Sequence, residues 1–152
     1  MTTTITSHGL DGLGDVMPVM TRAFDPQFGE AWTAAQCTGV LAMPGAHLLI
    51  ARAPHPVGFA LLRTVIDEAE LMLLAVVPEA RQQGIGRGLL QHTIDLATAS
   101  GVTSYFLEVR SDNPAIIVYE KFGFGQVGIR RNYYRGSQAN GRDALTYRLS
   151  LR

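Results

Sequence analysis

The chain has one lysine, Lys121, one cysteine, Cys37, and one tryptophan, Trp32. Each shortage excludes something. A phosphate loop of the G-x-x-x-x-G-K-[ST] type needs a lysine beside its glycines, and Lys121 lies far from them. A lone cysteine cannot close an internal disulfide, and no motif sets a histidine and an acid beside Cys37, so it reads as a small core filler. No apolar run approaches the ~18 residues of a membrane-spanning helix. The N-terminus lacks a charged start followed by a long apolar stretch. A soluble, cytoplasmic protein that does not engage a membrane is therefore expected. Charge of one sign is missing too: Lys plus Arg and Asp plus Glu are both 13, which gives no basic excess for direct nucleic-acid binding. His8, His47, His55 and His92 have no metal-ligand spacing, so no metal is expected.

What is present is an ordinary globular composition, 47% hydrophobic and 17% charged, with no repeat or linker, so residues 1–152 are expected to form one domain. A strand over residues 3–7 precedes a helix patterned by Leu13, Val16, Met17, Met20 and Phe24, with Asp11 as its expected N-cap. A second helix is expected over residues 29–43, ending before Pro44. Strand-like runs at 46–53, 57–65 and 69–77 are joined by hairpin connections at Pro54-His55-Pro56 and Ile66-Asp67-Glu68. A helix carrying Leu89, Leu90, Ile94 and Ala97 stops near Gly101. A strand at 102–109, a short helix at 113–121 and closing strands at 124–134 and 144–151 complete an α/β or mixed α+β chain.

The most informative stretch is Arg81-Gln82-Gln83-Gly84-Ile85-Gly86-Arg87-Gly88-Leu89-Leu90, directly after an apolar run. Glycines let successive backbone N–H groups close on an anion, and a helix starting there presents unpaired N–H groups and its positive dipole end. A dinucleotide fingerprint would need G-x-G-x-x-G tight against the strand. Here Leu89 replaces the third glycine, and residues 78–83 intervene. R-x-x-G-x-G followed by an amphipathic helix remains.

That pattern resembles the GNAT superfamily of acetyl-CoA-dependent N-acyltransferases. The resemblance sharpens at Leu107-Glu108-Val109-Arg110, at Asn113 followed by Tyr119-Glu120-Lys121-Phe122-Gly123-Phe124, and at Arg130-Arg131-Asn132-Tyr133-Tyr134. Together these blocks are most similar to the ribosomal-protein-alanine N-acetyltransferase (RimI) branch. The resemblance implies a twisted mixed sheet of six to seven strands flanked by about four helices. It also implies acetyl-CoA as cosubstrate and a protein N-terminus as acceptor, attacked directly in a ternary complex.

By that resemblance Glu108 is the general base and Tyr119 the general acid at the departing thiolate. Burial on a mostly apolar strand would raise the pKa of Glu108 toward usefulness; its structural alternative is an ion pair with Arg110 or Arg131. Protonating a thiolate from tyrosine is uphill by ~2 kcal/mol, so Tyr119 is limited to a hydrogen bond unless its pKa is lowered. Gln82, Gln83, Gly84, Ile85, Gly86 and Arg87 are expected around the pyrophosphate, with Arg87 or Arg81 adding charge. Leu74, Ala75 and Val76 offer backbone groups to the pantetheine arm and thioester oxygen. Asn113 caps the short helix and contacts the cofactor. Glu70 competes with Glu108 for the base and could attract a cationic terminus. Tyr133 and Tyr134 are candidate walls of a peptide groove, although strand alternation would send them to opposite faces.

The chain departs from the branch where a compact Phe-Pro-Trp element is usual: residues 24–32 are longer and rearranged, and the branch's Ser-Asn-x-Ala turn is Ser111-Asp112-Asn113-Pro114. Acceptor identity is thus left open between a protein α-amine and a small amine such as a polyamine or aminoglycoside. A non-catalytic acyl-CoA-binding module is the third class.

Overall fold

The computed structural model describes residues 2–134 and 141–151. Strands β1 (Thr4–His8), β2 (Ala46–Arg52), β3 (Pro56–Val65), β4 (Glu68–Val76), β5 (Ser104–Arg110), β6 (Gly125–Tyr134) and β7 (Arg142–Ser150) form one sheet in the order β1-β2-β3-β4-β5-β7-β6. Helices α1 (Leu13–Ala23), α2 (Ala34–Leu41), α3 (Ile85–Ala99) and α4 (Ala115–Lys121) complete the chain. This is the expected mixed architecture, with seven strands and four α-helices among the described residues. All neighbouring strands are antiparallel except β4 and β5.

Helices cover both faces of the sheet centre. In β3, Gly58, Phe59, Ala60, Leu61 and Leu62 are buried without alternation, the pattern of a strand with no wet face. Leu48 and Ile50 meet Gly12 at the start of α1, while Gly58 meets Leu89 of α3. Paired residues share a face. Phe59, Leu61, Leu73 and Ala75 therefore lie on the α1 side, and Gly58, Ala60, Leu74 and Val76 on the α3 side.

A bulge breaks this alternation in β4. Leu61 pairs with Leu73, but Leu62 pairs with Leu71, leaving Met72 as the extra residue. The phase shift matters for function. Without it, strict alternation from Leu73 would turn Glu70 into the apolar α3 side; with it, Glu70 shares the α1 side with its partners Arg63 and Phe106.

Both expected helix starts are corrected. Asp11 does not cap α1; its carboxylate accepts the Gly9 N–H at 2.9 Å within a short 3-10 turn over Leu10–Gly12, and α1 begins after it. The second helix is shorter than residues 29–43. Asp25 caps a separate turn at Pro26–Phe28, Gly29 adopts φ +65°, and α2 starts only after Thr33. Thr33 and Gln36 form a reciprocal capping box, at 2.7 and 3.1 Å, which fixes that start. No helix among the described residues is long and apolar enough to cross a membrane.

Candidate functional site

Strands β4 and β5 pair only from Glu68 and Ser104 to Leu71 and Leu107. Beyond the bulge they part, and a groove of about 620 Å³ opens between the segment joining α1 to α2 and the end of β6. Parting leaves β4 with free backbone groups. Val77 donates to Val57, which sets the antiparallel phase, so Leu73 and Ala75 bond β3 while Leu74 and Val76 turn theirs to the gap. Of the three residues expected to serve a ligand there, Ala75 is thus excluded. The Val76 carbonyl accepts from Arg81 Nε at 3.0 Å, which leaves its N–H.

Arg81 also reaches the Ala23 carbonyl with its terminal nitrogen at 2.7 Å. It ties the end of β4 to the end of α1 while still lining the hollow beside the glycine loop. Arg87 is exposed and bonds no described residue.

The loop over residues 82–87 is built from left-handed turns. Gln82 and Gly84 adopt φ +63° and +81°, turning consecutive N–H groups to one side. The first intrahelical bond of α3 runs from Gly88 to Gly84 at 2.9 Å, and the N–H groups of Gln82, Gln83, Gly84, Ile85, Gly86 and Arg87 bond no described main-chain group. A Cβ on Gly86 would come no closer than 3.8 Å to Val76. Packing therefore does not demand glycine at 86; the missing Cβ leaves room in a hollow of about 490 Å³ lined by Val76, Gly84, Gly86, Arg87 and Val118. An anionic diphosphate fits this donor set.

Glu108 lines the groove from β5, and Glu70 lines it from β4. Glu108 is ion-paired with Arg130 at 2.9 Å, not with Arg110 or Arg131. Register explains the choice. Arg130 and Arg110 both face Ala144, on the Glu108 side of the sheet, but Arg110 is turned toward Glu30; Arg131 points the other way, to Asp143. Glu70 has no ion-pair partner among the described residues, and burial, then the charge of Glu108, push its carboxyl above the usual range against the pull of Arg130.

Tyr119 is buried on α4 and packs edge-on against Phe124, which in turn touches Tyr105 on the α3 side of the sheet. It still lines the groove that holds Glu108, because the strands have separated there. Its hydroxyl bonds no described residue. Burial first, then Tyr134 and Glu30, raises its pKa well above the ordinary tyrosine value. Asn113 lines the same groove, and its Oδ1 accepts the Ala115 N–H at 2.9 Å, holding the start of α4.

The expectation that Tyr133 and Tyr134 diverge is overturned. Asn132 takes φ +53°, its N–H donates to Asp143 at 2.9 Å, and the pairing register slips between Arg130 and Tyr134. Alternation is lost, so the rings meet edge to face at 5.1 Å and both line the groove.

A buried charge network escaped the sequence reading. Arg110, 8% exposed, pairs with Glu30 at 2.6 Å and with Asp112, and lies over the Phe28 ring at 3.7 Å. Arg142 holds Asp112 from the other side at 3.0 Å. This network fastens residues 24–33 to the end of β5 and so fixes one groove wall, which Trp32 also lines. The signal was the arginine of the Leu-Glu-Val-Arg block, whose partner lies eighty residues away. Among the described residues no group of His, Cys, Asp or Glu is placed to hold a metal ion.

A family model described as Acetyltransferase (GNAT) family matches residues 14–124. The [ribosomal protein bS18]-alanine N-acetyltransferase of Escherichia coli is 49% identical over 77 residues, 50% of this chain and 52% of that protein. The protein of the same name from Salmonella typhimurium is 44% identical over 94 residues, 61% of this chain and 63% of that one. In these alignments the chain spans about half or more, but less than two thirds, of the curated relatives it matches. The crystal structure of the ribosomal-protein-S18-alanine N-acetyltransferase from Escherichia coli superposes with a TM-score of 0.86 at 32% identity, covering 98% of this chain and 94% of that one.

Two measurements check this geometry. Removing the arginine of the buried pair, Arg110→Met, should cost about 3 kcal/mol in urea unfolding because Glu30 keeps no ion-pair partner, whereas Glu30→Leu with Arg110→Met should cost much less, because no lone charge stays buried. By NMR titration, Glu70 should lose its proton at lower pH in Glu108→Gln than in the parent protein. An unmoved Glu70 would show that the two carboxylates do not share a field.

Proposed function

The chain belongs to the GNAT acetyltransferase family, and from that premise we propose that it acetylates the N-terminal α-amine of a protein with acetyl-CoA. The alanine terminus of a small-subunit ribosomal protein is the first candidate acceptor, which would place the reaction in the cytoplasm and in one domain over residues 1–152. One observation carries the reading: free amides, two carboxylates and an unbonded buried phenol converge where β4 and β5 part. The E. coli and Salmonella relatives favour the ribosomal alanine as acceptor.

Acetyl-CoA supplies an acyl thioester when bound. Its diphosphate is assigned to the N–H groups of residues 82–87 with Arg87 adding charge, and its pantetheine to the open edge at Leu74 and Val76. An N–H of that edge is positioned to stabilise negative charge on the thioester oxygen. The acceptor nitrogen must be neutral to attack. An α-amine, with a reference pKa of about 7.7–8.0 against about 10.4 for lysine, is roughly a tenth neutral near pH 7.

As the C–N bond forms and the C–S bond breaks, the amine's proton passes to the carboxylate floor, directly or through water. Glu108 is the assigned base. Glu70 is a second acceptor of that proton, favoured by its raised pKa and by the ion pair that engages Glu108. Tyr119 keeps its own proton, since its pKa is raised rather than lowered, and donates a hydrogen bond to the leaving sulfur. Tyr133, Tyr134 and Trp32 wall the acceptor's path.

Gly86→Ala should fold at least as stably as the parent, because alanine is favoured inside a helix by up to about 1 kcal/mol, yet bind coenzyme A at least about tenfold more weakly by calorimetry. Unchanged binding would remove the cradle assignment. With a peptide beginning with the ribosomal alanine, the protein should release free coenzyme A. Glu108→Gln should lower kcat about a hundredfold or more and Tyr119→Phe about tenfold. Turnover confined to polyamines or aminoglycosides would transfer the activity to small amines. Tight coenzyme A binding with no turnover of any amine would make the chain a binding module.

A further inference from the structure

The acceptor groove does not end at Glu70. A second hollow of about 460 Å³ continues from it on the same side of the sheet, toward the C-terminal end of α2 and the β3–β4 hairpin. The two share Glu70, Met72, Leu107, Glu108 and Arg130, so they form one channel with both carboxylates at the junction. The far wall is apolar, made by Val40, Met43, Val65 and Phe106. Met43 and Val65 each leave 46% of their surface to water. An apolar group seated over them would remove that contact with water.

Position and charge identify the occupant. The amide cradle lies past Val76, at the opposite end of β4 from this hollow, so a cofactor bound there and running along Leu74 meets the junction only with its acyl end. The hollow carries the carboxylates of Glu68, Glu70 and Glu108 against the guanidinium groups of Arg63, which bonds the Pro44 carbonyl, and Arg130, which pairs with Glu108, so the junction keeps a net negative charge and Glu70 has no ion-pair partner among the described residues. A chain that starts with a cationic amine and carries an apolar side chain close behind matches an acidic junction followed by an apolar wall. A fatty acyl tail matches only the wall, and a polyamine only the junction.

We propose that this hollow is a specificity subsite for a bulky apolar side chain among the second to fourth residues of a peptide acceptor. Glu70 and Glu108 face the terminal amine, and Met43, Val65 and Phe106 cover the side chain. The subsite rests on the reading of the acceptor as a protein N-terminus, and it adds to that reading a preference the terminal residue alone does not give.

The test compares seven-residue peptides carrying alanine, phenylalanine or aspartate at positions two, three or four. They are assayed with the parent protein and with the doubly substituted Met43→Lys, Val65→Lys protein. Binding is followed in parallel through the methyl NMR signals of Met43 and Met72. Phenylalanine at one of the positions should raise kcat/KM roughly ten- to a hundredfold over alanine, aspartate should lower it, and both methyl signals should move. In the double variant the preference should fall to about threefold or less while coenzyme A affinity is unchanged, which also reports an intact fold. Equal turnover of the alanine, phenylalanine and aspartate peptides at every position, or a preference that survives both lysines, overturns the subsite and leaves the N-terminal reading in place. If the lysines instead abolish use of longer acyl-CoA esters, the hollow belongs to the acyl tail and the proposal falls. Shifted methyl signals without turnover of any peptide keep the subsite and remove the acceptor reading; neither shifts nor turnover overturns both.

Discussion

Parallel pairing between β4 and β5 stops at Leu71 and Leu107, and what the molecule offers a ligand follows from that stop. Main-chain groups in the middle of a sheet are costly to leave unbonded. The N–H and C=O groups of Leu74 and the N–H of Val76 therefore form an open edge within the sheet, to which the pantetheine is assigned in the proposed function. The same separation lets Tyr119 reach the groove from the α3 side while Glu108 enters from the other. A continuous β4 and β5 ladder would seal these two residues from each other. The bulge at Met72 does the complementary work, bringing Glu70 out of the apolar layer and onto the face of Glu108.

Charge in the groove is arranged by depth. Arg110 is buried and fully engaged by Glu30, Asp112 and the Phe28 ring, whereas Arg130 is largely exposed and balances Glu108 in contact with solvent. Only the arginine side of this pair is open to water, Arg130 being 59% and Glu108 20% exposed, so solvent screens it more than the Arg110 pair. The buried pair cannot yield without leaving an uncompensated charge. One arginine thus holds the wall, and the other attends the floor.

Much of this was legible in the residues. The apolar runs gave the strands, and the spacing of Gly84 and Gly86 after Arg81 gave the anion cradle. The resemblance then gave Glu108, Tyr119 and Asn113, which line one groove. What was not legible depends on register or on distant partners. A bulge at Met72 has no composition signal in an apolar run, and a positive φ at Asn132 is set by Asp143 across the hairpin. Ala75 and Val76 look equivalent in sequence, and only the ladder phase separates them. Arg81 sits at the expected place for a phosphate ligand, yet two carbonyls claim it. Periodicity extended α2 back to residue 29 because it could not see Glu30 drawn to Arg110.

The segment from Phe24 to Thr33 meets Arg110 through Glu30 and Phe28 and Arg142 through Phe28, with Phe24 and Trp32 partly buried against the core. A change in its length or order that keeps Glu30 against Arg110 therefore reshapes one wall of the groove and leaves the sheet, the glycine loop and the carboxylates in place. The rearranged stretch in this chain is such a panel, set apart from the strands that carry Glu70 and Glu108.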